Sequence, residues 1–160
     1  MTIKVGERIP SATLKELGEG GMSDVTTDEL FKGRKVAVFG LPGAFTPTCS
    51  AKHLPGFVQQ TDALKAKGVD AIVCVSVNDA FVMKAWGEHQ GATGKVRMLA
   101  DGNAELAKAL GLEFDASGYG MGTRCQRFSM VVEDGVVKKI NIDPAGQFKE
   151  TSAETMLGQL

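Results

Sequence analysis

Cysteine is scarce in this 160-residue chain, and its three cysteines, Cys49, Cys74 and Cys125, stand far apart. An odd, widely spaced set makes no disulfide framework, and without a CxxC or a close Cys/His cluster there is no zinc pattern. No block of basic charge occurs and the net charge is -1, which leaves no electrostatic footprint for nucleic acid. No apolar run approaches the roughly 20 residues of a membrane span. The opening MTIKVGERIPSATL has no signal-peptide hydrophobic region, so a cytoplasmic location is expected. Repeats, low-complexity tracts and linkers are lacking too. The remaining composition, 43% hydrophobic and 23% charged, is that of a globular chain, and the length suits one domain over 1–160.

Within that ordinary composition the pattern is regular. SATLKEL and MSDV flank the turn signal GEGG and predict an N-terminal β-hairpin. TTDELFKG, with Thr26 and Glu29 at capping-box spacing, predicts a short helix, and the apolar run KVAVFGL a buried strand. A helical pattern over 48–67 follows, and Pro55 and Gly56 inside it predict a kink. GVDAIVCVSV reads as a second buried strand, DAFVMKAWGEHQ as a helix capped by Asn78 or Asp79, and KVRMLAD as a third strand. NAELAKALGL is then a helix capped by Asn103, and FDASGYGMGT a glycine-rich loop. QRFSMVVEDGVVKKINID predicts a hairpin about Asp134 and Gly135, with Thr151 and Glu154 as the capping box of a last helix. Strands alternating with helices, then a hairpin and a helix, predict an α/β chain of thioredoxin-like arrangement. It would have a central mixed sheet flanked by helices, with the N-terminal β-hairpin. Trp86, Phe39, Phe57 and Phe81 read as core from their strand or helix spacing.

The chemistry gathers at GLPGAFTPTCS, residues 40–50. With Thr46 as N-cap, Pro47 takes the first helical position, where a missing N–H costs nothing, and Cys49 lies in the first turn. There the sulfur meets unpaired backbone N–H groups and the positive end of the helix dipole, and both favour the thiolate, the reactive form. The N–H groups of Thr48 and Cys49 are placed to hold an anion or a polar substrate oxygen. Pro42 and Gly43 turn the chain out of the strand, with Pro42 shielding one side of the sulfur, and the Thr46 hydroxyl stands three residues before the thiol. Strand, turn, cap and thiol coincide, which favours a reactive cysteine over an inert one in a capped helix start.

PGAFTPTC resembles the peroxidatic-cysteine motif P-x-x-x-T-x-x-C of the peroxiredoxins, and FGLPGAFTPTCSAKHLPGF resembles their peroxiredoxin-5 or type II subfamily. The similarity runs from IKVGERIP through VSVNDAFVMKAWG and KVRMLAD to RFSMVVEDG, nearly the whole chain. This resemblance implies a thiol-dependent peroxidase. Cys49 thiolate would attack a hydroperoxide and become a sulfenic acid, with water or an alcohol released. Pro42, Thr46 and Cys49 map onto the motif. The family's arginine stands just before the FSMVV strand and so falls at Arg127, with Arg124 a secondary candidate. Hydrogen peroxide and small organic hydroperoxides are the implied substrates and a homodimer the implied assembly. No metal or organic cofactor is implied, since electrons come from thiols. One alternative is a peroxide sensor that relays oxidation from Cys49 to a partner protein. Another, a disulfide oxidoreductase on the same fold, is disfavoured by the missing CxxC.

Type II members similar to those of plants carry a second cysteine where Cys74 stands, which makes it a resolving candidate. A strand-centre cysteine also reads as plain core, and disulfide geometry tolerates little separation. Animal-like members place a resolving cysteine near the C-terminus, where this chain has Thr151. The resemblance then points to an external thiol, either glutathione with glutaredoxin or thioredoxin. Cys125, between Arg124 and Gln126, reads as structural, although two nearby arginines also suit an oxidisable thiol. His53 reads as a structural histidine or as one half of a Cys–His hydrolase pair. Phe45, inside the turn, lines either the pocket or a dimer contact.

Overall fold

The computed structural model describes residues 1–160. Its first half runs β1 (Thr13–Gly18), β2 (Gly21–Thr26), α1 (Thr27–Phe31), β3 (Lys35–Leu41), a π turn (Cys49–His53), α2 (Leu54–Gln59), α3 (Thr61–Ala66) and β4 (Ala71–Ser76). The second half runs α4 (Ala80–His89), β5 (Arg97–Ala100), α5 (Glu105–Ala109), β6 (Glu113–Asp115), β7 (Thr123–Cys125), β8 (Arg127–Glu133), β9 (Val136–Asp143) and α6 (Ala153–Gln159). Seven strands form one mixed sheet in the order β2-β1-β5-β4-β3-β8-β9. The strands β3, β4 and β5 pair in parallel, and the flanking strands pair antiparallel. This is the expected fold, including the N-terminal hairpin.

Successive side chains of a strand point to opposite faces, so a strand buried on both sides supplies two cores. In β3, Val36 and Val38 join one cluster with Phe128, Leu106 and Leu110, while Ala37, Phe39 and Leu41 join another with Phe57, Leu64, Met83 and Trp86. In β4, Val73 and Val75 take the first side, Ile72 and Cys74 the second. The helices that carry Cys49, α2 to α4 and α6 cover the second face. Phe39 stacks on Phe57 with centroids 4.1 Å apart, which locks α2 onto the sheet directly beneath the start of that helical segment. No helix is long and apolar enough to cross a membrane.

Several local expectations need correction. The segment over 48–67 kinks, but first by widening into the π turn and again at Gln60, between α2 and α3. Pro55 supplies the reason: it offers no N–H, and its ring would strike the carbonyl four residues back in a straight α-helix. Asn103 does not cap α5. Asp101 does, accepting from the N–H of Leu106 at 3.0 Å and of Ala107 at 2.9 Å. Of the two expected caps for α4, Asp79 is the one that acts, through Val82 N–H at 2.8 Å, so that expectation holds. Ser152 rather than Thr151 caps α6, through Thr155 N–H at 3.1 Å. The stretch read as loop over 114–123 is framed by the two-stranded ribbon of β6 and β7. Phe81, read as core, is exposed, whereas Trp86, Phe39 and Phe57 are fully buried.

Candidate active site

The end of β3 delivers the chain into a turn that must be tight. A Cβ at Gly43 would sit 3.0 Å from Arg124 Nη1 and 3.1 Å from Thr46 Cγ2, so glycine is what lets these groups close in. Phe45 takes φ 62°, a left-handed conformation that reverses the chain before the helix. The turn is tied to the sheet by Asn78, whose Oδ1 accepts from Ala44 N–H at 3.0 Å and from the Ser76 hydroxyl at 2.6 Å. Pro47 and Thr48 are the first helical residues, and the Thr46 carbonyl accepts the first helical bond, from Ser50 N–H at 2.9 Å. The N–H groups of Thr48 and Cys49 lie ahead of that bond and find no backbone acceptor. The Thr46 hydroxyl does not cap the helix. It donates to the Gly43 carbonyl at 2.7 Å and pins the turn.

Cys49 is buried at the base of this construction, and Arg127, the first residue of β8, reaches it from the neighbouring strand. Arg127 Nη2 donates to Cys49 Sγ at 3.2 Å, while Nη1 meets His53 Nδ1 at 2.9 Å. A guanidinium only donates, so His53 Nδ1 must be the bare acceptor and Nε2 the N–H that donates to the Thr151 carbonyl at 3.0 Å. Burial first, and the Arg127 charge second, hold the His53 pKa down to about 3, so the imidazole is neutral. Phe39, Phe57 and Phe148 surround it. With both ring nitrogens engaged elsewhere, His53 is no base for Cys49, and the Cys–His hydrolase arrangement is absent.

The redoxin family model matches residues 4–157. The chloroplastic peroxiredoxin-2E-2 of Oryza sativa subsp. japonica is 52% identical over 164 residues, covering 99% of this chain and 73% of that protein. The chain belongs to the peroxiredoxins. Reduced Prx3 of Vibrio vulnificus, solved in complex with H2O2, superposes with a TM-score of 0.95 at 51% identity and 99% coverage of both chains. Peroxiredoxin 5 of Alvinella pompejana superposes with a TM-score of 0.86 at 33% identity, over 97% of this chain and 96% of that one. The chain is therefore a thiol-dependent peroxidase, an oxidoreductase that takes a peroxide as acceptor and a thiol as reductant.

Cys49, Arg127, Pro42 and Thr46 converge at one end of the sheet in this peroxiredoxin. Arg124, on β7, lies over the turn rather than on the thiol: its Nε donates to the Met121 carbonyl at 3.0 Å and Nη1 to the Pro42 carbonyl at 3.4 Å. Cys74 is fully buried in mid-β4, paired with Phe39 and Met98, and burial pushes its thiol well up, with Cys49 and Cys125 adding to the effect. Cys125 is buried in the core on the other face of the sheet. Burial, then the carboxylates of Asp101 and Glu113, push its thiol up as well, the reverse of what two flanking arginines suggest. Thr151 is buried and donates to Asp143. Asp143 and Phe148 carry no sequence signal for the site, whereas His53, singled out by its spacing four residues after Cys49, enters the site as a partner of Arg127 rather than of the thiol. No cluster of His, Cys, Asp and Glu that could hold a metal ion is present.

Proposed function

We propose that Cys49 is the residue that reduces hydrogen peroxide and small organic hydroperoxides, and that an external thiol regenerates it. The observation that carries this reading is the 3.2 Å contact between Arg127 Nη2 and Cys49 Sγ, made beside two unpaired helix N–H groups. Cys49 thiolate attacks the terminal oxygen; the S–O bond forms as the O–O bond breaks, and sulfur gives up two electrons. The departing oxygen takes a proton and leaves as water or an alcohol. Arg127 and the N–H groups of Thr48 and Cys49 stabilise charge on sulfur and on the breaking bond, where fixed donors act most strongly. Thr46 and Arg124 hold the turn, and Pro42 walls the site. A small cavity of about 40 Å³, lined by Pro42, Arg127 and residues 144–146, lies beside the arginine, and the Vibrio relative was solved with H2O2 bound.

The sulfenic acid is then attacked by glutathione or by the thiol of glutaredoxin or thioredoxin, forming a mixed disulfide and water. A second thiol releases Cys49. Cys74 in mid-sheet and a threonine at 151 favour this external route over an internal disulfide. The deciding experiment follows peroxide consumption by the wild type, Cys49→Ser, Cys74→Ser and Cys125→Ser, each with glutathione and glutaredoxin or with thioredoxin. Only Cys49→Ser is expected to lose activity, and mass spectrometry of the oxidised protein is expected to find the adduct on Cys49. Activity surviving Cys49→Ser would sink the mechanism, and loss in Cys74→Ser limited to the thioredoxin assay would make Cys74 the resolving cysteine. Cytoplasmic residence and a homodimer belong to the same proposal. Fractionation of the native source checks the first, with an organelle as the competing outcome.

A further inference from the structure

We infer that Asp143 is a positioning residue for the thiol chemistry: its carboxylate clamps residues 149–151 so that the Thr151 carbonyl holds His53, and His53 holds Arg127 against Cys49. Asp143 stands directly opposite Arg127 in the ladder of β8 and β9. Cross-strand partners point to the same face of a sheet, so an ion pair between the two is the simple expectation. None forms; the salt bridges of this chain are Lys15–Asp24, Lys84–Glu88 and Arg97–Glu16. Asp143 is 2% exposed and takes its hydrogen bonds from the loop instead. Its Oδ2 accepts from Lys149 N–H at 2.9 Å, Glu150 N–H at 3.1 Å, Thr151 N–H at 3.1 Å and the Thr151 hydroxyl at 2.8 Å, and its Oδ1 accepts from Glu150 N–H at 3.1 Å.

The clamped segment is the one that faces the catalytic arginine. Thr151 O receives His53 Nε2–H, and the Phe148 ring lies 5.8 Å from Arg127 Cζ and 5.2 Å from the His53 ring. The run of contacts is continuous from Asp143 through Thr151, His53 and Arg127 to Cys49. The arrangement has an electrostatic logic. A carboxylate bonded to the guanidinium would offset the charge that Cys49 needs, whereas a neutral imidazole orients it and leaves that charge intact. The acid therefore acts at one remove, through backbone donors.

The inference rests on Arg127 acting on Cys49 as proposed above, and the experiment separates the two. The second-order rate with H2O2 is read from the fluorescence of Trp86, the single tryptophan, whose Nε1–H donates to Ser50 at 3.0 Å beside the thiol. Asp143→Asn keeps the shape but has one acceptor oxygen where the carboxylate has two. It is expected to slow the reaction about 10-fold, and to move the pH midpoint of Cys49 alkylation by iodoacetamide upward, effects that a loss of global stability alone would not produce. In a His53→Ala background the same change is expected to cost less than about 2-fold, because the route to Arg127 is already cut. An equal loss in both backgrounds, or an unchanged rate and alkylation profile in Asp143→Asn, overturns the inference. Thr151→Val removes only the hydroxyl bond, and a smaller shift of the same sign is expected; if Asp143→Asn fails to fold, an unchanged alkylation midpoint in Thr151→Val overturns it. Arg127→Gln at wild-type rate would instead remove the reading of Arg127 itself.

Discussion

Arg127 divides its terminal nitrogens between Cys49 Sγ and His53 Nδ1, and the choice of a histidine as second partner has a consequence in acid. In the folded chain His53 protonates only near pH 3, held there by burial and then by Arg127, whereas an unfolded histidine takes its proton near 6.5. Between those values the unfolded state binds more protons, so stability is full above the upper value and falls as pH drops through the window. The fall amounts to at most about 5 kcal/mol. Asp143, pushed up by burial but brought down on balance by the donors of Glu150, Lys149 and Thr151, adds stability that is lost in stronger acid. Asp101, held up by burial against its helix N–H bonds, works the opposite way and offsets part of the fall. Urea midpoints measured from pH 8 to pH 4 are expected to be level above 7 and to decline below 6.5. His53→Phe should flatten that decline, and a level wild-type curve down to pH 4 would contradict the assignment.

Elements in this chain are often ended by a residue other than the nearest plausible cap. Thr151 and Glu154 have capping-box spacing, yet Thr151 is drawn inward to Asp143 and its neighbour Ser152 takes the cap of α6. Ser152→Ala is therefore expected to lower stability by about 1 kcal/mol, and Glu154→Ala to change it by less than about 0.5 kcal/mol, in chemical denaturation. Comparable losses in both would restore the capping box. The same competition explains which boundaries were legible. Thr26 caps α1 as the spacing predicts, with its hydroxyl accepting from Glu29 N–H at 3.2 Å, because nothing else claims it. Asn103 fails as a cap because a buried carboxylate at Asp101 reaches the same N–H groups. Pro55 announces a distortion, but the widened turn is placed upstream of it, where Cys49 and His53 must both face Arg127.

On the whole molecule, the exposed aromatic residues Phe45 and Phe81 follow the C-terminal ends of the parallel strands β3 and β4, at the end of the sheet that carries Cys49. Apolar surface gathered beside a site marks a contact, and the proposed homodimer is expected to use it. Phe81→Glu should convert the dimer to monomer in light scattering after size exclusion, with the fold retained. A wild type that is monomeric at tens of micromolar would refute the interface. Local pattern was enough to place the strands β3, β4 and β8, the hairpins and the thiol at a helix start, because apolar periodicity, turn residues and proline act over a few neighbours. It determined the peroxiredoxin family too, through PGAFTPTC and the motifs around it. The surroundings of Arg127 were not legible there, because they depend on contacts between distant segments. A straight count back from the Asp134–Gly135 turn pairs Arg127 with Ile142, but a bulge between Val131 and Val132 shifts the ladder by one residue and sets Asp143 opposite it. That single-residue shift turns every later side chain to the other face, and it depends on packing across the sheet rather than on any local pattern.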